Sequence, residues 1–116
     1  MSDLLKELCQ LSGFISDLAV QEKEPMTKKR LLELLTMVSD KIETAAKYPG
    51  LTSENDYFHM VIEEIKETEN VIAGYKEKIK TYTDLLEHVM KVANEVDVLF
   101  LGAEFTAKLL TVNQTG

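Results

Sequence analysis

The sequence predicts an all-α protein. An N-terminal antiparallel helical hairpin packs on a long C-terminal helix, or on a second hairpin, in a coiled-coil-like bundle. Three observations predict this. Only two prolines and five glycines interrupt 116 residues, so long stretches carry no breaker. Apolar residues recur at helical spacing through nearly all of those stretches. From Phe58 an alternating 3,4 series then reads Phe58, Val61, Ile65, Thr68, Ile72, Tyr75, Ile79, Tyr82, Leu86, Val89, Ala93, Val96, Phe100, and only Thr68 in it is polar. Such a series is the seam of a helix packed along its length against another helix.

Residues 3 to 22 read as the first helix, with Ser2 or Asp3 as its cap. Leu4, Leu8, Leu11, Ile15 and Leu18 form its stripe, widened by Leu5, Phe14 and Ala19. Cys9 sits at the stripe's border with no histidine or basic residue beside it, so it reads as a packing residue rather than a reactive thiol. Gln21 to Glu24 form a polar link. Pro25 suits the first turn of a second helix, or Thr27 caps one just after it. That helix runs to about Lys47 on a face of Leu31, Leu34, Leu35, Val38, Ile42 and Ala45. A link this short makes the two helices an antiparallel hairpin.

Tyr48-Pro49-Gly50 is the clearest punctuation in the chain. Ser53 follows as an N-cap, with Asp56 at the third helical position. Residues 1–48 and 53–112 are thus two structural halves, neither an independent domain, and 1–116 is one helical domain.

The second half admits two readings. As one helix, residues 54 to 101 span ~70 Å. As a hairpin, the chain turns near Lys80-Thr81-Tyr82-Thr83. Thr81 or Thr83 then caps a new helix with Asp84 and Glu87 near its first turn. The apolar phase runs through without a reset, which favours the unbroken helix. Leu101-Gly102-Ala103 marks a kink or stop, and Thr111 to Gly116 a frayed polar tail.

The net charge of −7 and pI near 4.8 argue against nucleic-acid binding. The basic clusters, Lys28-Lys29-Arg30 and Lys76, Lys78, Lys80, are flanked by acidic residues and read as solvated helix surface. The single cysteine excludes an intrachain disulfide. No apolar run approaches the ~18 residues of a membrane span. The N-terminus shows no signal-peptide pattern, so the expected compartment is the cytoplasm.

No phosphate loop, HExxH, paired CxxC or GxSxG is present. His59 with Glu63, and Asp84 with His88, each share a helix face at a spacing of four, but surface or boundary histidines are the simpler reading. The carboxylates are more pointed. Glu64 and Glu67 stand three apart, as do Asn94 and Asp97. A hairpin centred between Lys80 and Thr81 would set Glu67 opposite Asn94 and Glu64 opposite Asp97. Facing carboxylates of this kind suit Mg²⁺.

These two runs resemble the ExxE and ExxD helices of the all-α NTP pyrophosphohydrolases, the MazG-like enzymes and dimeric dUTPases. The resemblance covers residues 61 to 100. It implies a helical bundle, a dimer or tetramer, and Mg²⁺-dependent hydrolysis of nucleoside triphosphates, with Glu64, Glu67 and Asp97 on the metal. Asn94 stands where that family has glutamate.

The composition and the seam together favour a different function. The chain reads as a non-enzymatic helical interaction or assembly module without cofactor; a small regulator, inhibitor or chaperone is a narrower form of that reading. The first half of the seam packs under the N-terminal hairpin. The second half, Ile79, Tyr82, Leu86, Val89, Val96 and Phe100, then needs a partner. That partner is another copy, giving a homodimer, or a helix of another protein.

Overall fold

The computed structural model describes residues 3–47 and 56–115, with side chains as far as Leu101. Four helices account for it: α1 Asp3–Gln21, α2 Pro25–Ala46, α3 Asp56–Lys76 and α4 Tyr82–Thr115. The expected elements at Ser2, at Tyr48-Pro49-Gly50 and at Ser53 lie outside the described residues.

The stripe of α1 is buried as its spacing requires: Leu4, Leu8, Leu11, Ile15 and Leu18 all face the core. The helix ends into a three-residue link. Pro25 takes the first helical position of α2, but the cap is Glu24, a residue the sequence reading passed over. Its carboxylate accepts from the Met26 N–H at 3.2 Å, the Thr27 N–H at 2.6 Å and the Thr27 hydroxyl at 2.7 Å. The Thr27 hydroxyl and amide hold the Glu24 pKa below the usual carboxylate value. Leu31, Leu34, Val38 and Ala45 form the buried face of α2.

The expectation of one unbroken helix from 54 to 101 is overturned. The chain folds back between Lys76 and Tyr82, and α3 and α4 form a second hairpin. Two local devices make the turn. At the end of α3 the Ile79 N–H donates to the Gly74 carbonyl at 2.8 Å, and the Lys78 N–H to the Tyr75 carbonyl at 3.1 Å. This is a Schellman closure, and it sets Lys78 at φ 63°. At the start of α4, Thr81 and Asp84 form a reciprocal capping box. The Thr81 N–H and hydroxyl donate to Asp84 Oδ2 at 2.9 and 3.0 Å, and the Asp84 N–H donates to Thr81 Oγ1 at 3.2 Å. The 3,4 spacing of the series continues across the turn, but the buried face of α4 also takes in Leu85 and Val92, which lie beside the series, while Tyr82 and Leu86 are only half-buried.

Register follows from side-chain pairs. Tyr82 lies over Arg30 and Asp97 over Lys41, so α2 and α4 run in the same direction. Gln10 and Phe14 share a groove with Glu69 to Ala73, and Leu18 and Gln21 a cleft with Tyr75 and Lys76, so α1 and α3 are also parallel. Among the described residues the backbones of α1 and α4 do not approach each other closely, nor do those of α2 and α3; these are the diagonals. The molecule is two antiparallel hairpins laid side by side, 58 × 25 × 23 Å in extent.

The core runs through all four helices. Leu8, Leu11, Ile15, Leu31, Val61, Ile65, Leu85, Val89 and Val96 are fully buried. Removing one such side chain costs roughly 2–5 kcal/mol for Leu or Ile to Ala, while an exposed ion pair contributes about 0.2–1. The stripes, not the surface charges, therefore hold the bundle. Thr68, the polar member of the seam, is fully buried and donates its hydroxyl to the Glu64 carbonyl of its own helix at 2.8 Å. A polar residue is tolerated there because its hydrogen bond is local.

The fourth helix departs from expectation at its far end. It continues without a stop through Gly102 and Ala103 to Thr115. At 34 residues, against 19 to 22 for the others, it sets the molecule's long axis at ~51 Å of helix.

Candidate interaction surface

The six seam residues expected to meet a partner divide three ways. Val89, Val96 and Phe100 are buried in the chain's own core. Tyr82 and Leu86 are half-buried at its edge, where the Tyr82 ring lies 5.8 Å from the Arg30 guanidinium carbon. Burial, then the charge of Glu33, raises the Tyr82 pKa, and Arg30 opposes the rise. Only Ile79, in the turn, is openly exposed, at 70%. The fold-back explains the distribution, because α2 and α3 cover the half of the seam that a straight helix would have left bare.

The carboxylates do not converge as a hairpin centred at Lys80 would require. The Schellman closure ends α3 early and shifts the register. Glu64 therefore meets His88 at 3.3 Å and Lys91 at 3.4 Å rather than Asp97. Asp97 turns instead to α2, 2.7 Å from the Lys41 ammonium, which also contacts Asp40 at 3.3 Å. Partial burial lowers the Lys41 pKa, but the hydrogen bonds it donates to Asp97 and Asp40 outweigh this and the net shift is upward. Glu67 and Asn94 are exposed. Among the described residues no three His, Cys, Asp or Glu side chains are placed to share a metal ion. The residues present do not fit the Mg²⁺ site that the resemblance implies.

A small polar knot remains between α3 and α4. Glu64, His88 and Lys91 form it, and Glu95 lies next along α4. Burial, then the nearby Glu64 charge, pushes the Glu95 carboxyl up, and its Oε2 is buried without a hydrogen-bond partner. Although Asp84 and His88 share a helix face, Asp84 is taken up by the cap and His88, at the boundary of the bundle, reaches across to α3. His59 is exposed, its ring edge-on to Phe58 at 6.1 Å.

The surface that sequence reasoning missed lies on α4. Val98 and Leu101 are 55% and 66% exposed. They sit on the side of the helix away from Leu85, Val89, Val92 and Val96. Positions 98, 101, 105, 109 and 112 are Val, Leu, Phe, Leu and Val. On a continuous helix this 3,4,4,3 spacing places them along one side of the backbone. The pairing of Lys41 with Asp97 puts the last turn of α2, at Ala46, close to Leu101, so the helix beyond it outruns its neighbour. The spacing is present in the sequence, but Gly102, a weak helix former, interrupts it, and the inner seam is the stronger periodic signal.

The arrangement defines an all-α bundle of two stacked hairpins with a projecting fourth helix. Comparison with protein-family models, with curated proteins and with solved structures finds no match for the chain. Among the described residues no helix is long and apolar enough to cross a membrane.

Proposed function

We propose that this protein is a helix-mediated association module that pairs with a second copy of itself, or with a helix of another protein, through the outer side of α4 from Val98 onward. The observation that carries the reading is the length of α4 relative to the three helices it packs with. Beyond Leu101 it runs about 20 Å further as helix. An isolated helix of that length is marginal in water and gains stability by packing. The apolar residues at 98, 101, 105, 109 and 112 supply a stripe of the kind that coiled-coil partners bury. The separation of Glu64 and Asp97, which pair with Lys91 and Lys41, favours this reading over a shared metal site.

The experiment is absolute mass in solution, measured for the wild type and for Val98→Asp and Leu101→Asp. Both positions are exposed in the single chain, so neither change removes a core contact. The expected result is a wild-type dimer, or a higher assembly, and monomeric variants with unchanged thermal unfolding at matched low concentration. A wild type that stays monomeric at tens of micromolar, with variants of identical mass, would refute self-pairing through this face.

A further inference from the structure

The α3–α4 turn is built from residues that belong in a helix. Glu77-Lys78-Ile79-Lys80-Thr81 contains no glycine, proline or asparagine, and its glutamate and lysines are good helix formers. The left-handed position that closes α3, usually glycine or asparagine, is held by Lys78 at φ 63°. It is the one positive φ at a non-glycine residue among those described. Lys80 folds over Gly74: a Cβ at position 74 would stand 2.7 Å from Lys80 Cγ, so a side chain there requires Lys80 to move.

The seam adds an independent observation. Every member of the series from Phe58 to Phe100 is buried or half-buried except Ile79. Ile79 occupies the seam position between Tyr75 and Tyr82 in sequence, yet in the closed hairpin it is exposed. Straightening residues 77–81 into helix would place Ile79 back in the stripe without altering the phase of a single other member.

We propose that the α3–α4 hairpin is a swap hinge. Two copies open it into one continuous helix each, and α4 of each copy packs on α2 and α3 of the other. The occupant of the vacated groove is a second copy of this chain, because only its α4 carries the stripe that the groove already fits. Each contact of the closed bundle is remade between chains. The swap relieves the Lys78 conformation and buries Ile79. Short, strained hinge loops are the usual site of such exchange. The inference does not depend on the outer side of α4.

The test uses the full chain with Cys9→Ser, and with Met60→Cys and Asn94→Cys carrying spin labels, diluted in unlabelled protein so that only distances within one chain are read. Met60 and Asn94 are both exposed. In the closed hairpin the labels lie under about 25 Å apart, since neighbouring helix axes are roughly 8–10 Å apart. In the straight helix they lie ~50 Å apart. Samples are refolded at low and at high protein concentration. The expected result is a ~50 Å population in the dimer fraction that grows with concentration. It should shrink several-fold in Lys78→Gly, which relaxes the turn, and grow in Gly74→Ala, which crowds Lys80. A distribution that stays short at every concentration, in monomer and dimer alike, overturns the proposal, as does a long-distance fraction unmoved by Lys78→Gly. Because Leu101→Asp leaves the hinge untouched, a dimer that it dissociates and that shows only the short distance supports the α4 face and refutes the swap.

Discussion

Replacing Lys78 with glycine should make this protein more stable, although it removes a side chain and adds backbone freedom. Lys78 sits at φ 63°, where an L-residue's Cβ crowds the following carbonyl at a cost of roughly 1–2 kcal/mol. Glycine removes that cost but loses about 0.5–1 kcal/mol through the greater entropy of its unfolded chain. The net expectation is a gain of about 0.5–1 kcal/mol. Urea unfolding followed by circular dichroism measures it, at a concentration low enough that association does not contribute. With a slope of roughly 1–3 kcal/mol/M, the midpoint rises by about 0.2–1 M at unchanged slope. Lys78→Ala is the control. It removes the same exposed side chain but keeps a Cβ at positive φ, so its midpoint should stay within about 0.5 kcal/mol of wild type. If Lys78→Gly falls at or below wild type while Lys78→Ala is neutral, the backbone of the turn is not strained and the reasoning fails.

Three further predictions concern the other polar devices at the second hairpin. Thr81→Ala should cost about 1 kcal/mol by opening the capping box. Its partner Asp84 gives the same device a pH signature. Hydrogen bonds from the Thr81 backbone and hydroxyl hold its pKa below the ordinary aspartate value. Its contribution is therefore complete above that ordinary value and is lost as pH falls through the depressed one, so the stability gap between wild type and Asp84→Asn should close in acid. Glu95 has the opposite sign. Its raised pKa means the folded state resists ionising it, so Glu95→Gln should be more stable than wild type at neutral pH. That advantage should fade as pH falls below the usual glutamate range, and an advantage that persists unchanged in acid would contradict the burial argument.

What the sequence made legible was local and periodic. The α1 stripe, Pro25 at the head of α2 and the seam from Phe58 all sit where their spacing puts them, because burial of a helix face is a repeated, redundant signal. The fold-back was harder to see. Lys78, Ile79 and Lys80 do not look like a turn, and the continuous phase argued against one; the contrary evidence, Thr81 with Asp84, is a single capping box set against thirteen seam positions. Glu24 escaped as a cap because glutamate is not among the preferred capping residues. The pairings of Lys41 with Asp97 and of Glu64 with His88 join different helices, and their register depends on where α3 ends. A three-residue error in placing the turn was enough to assemble, on paper, a carboxylate cluster that the folded chain disperses.

The side-by-side arrangement of two hairpins also sets a clock on biosynthesis. Each helix finds its antiparallel neighbour within its own half, but the faces of α1 and α2 are covered only by α3 and α4. Once Lys47 has emerged from the ribosome, the first hairpin can close with Leu8, Leu11, Ile15 and Leu31 still partly facing water. The chain from there to Phe100 takes roughly 3 to 10 s to synthesise at about 5–20 residues per second. Throughout that interval a sticky half-core waits for the rest of its own polypeptide. On a crowded polysome the second half of a neighbouring nascent chain carries the same stripe and can arrive first.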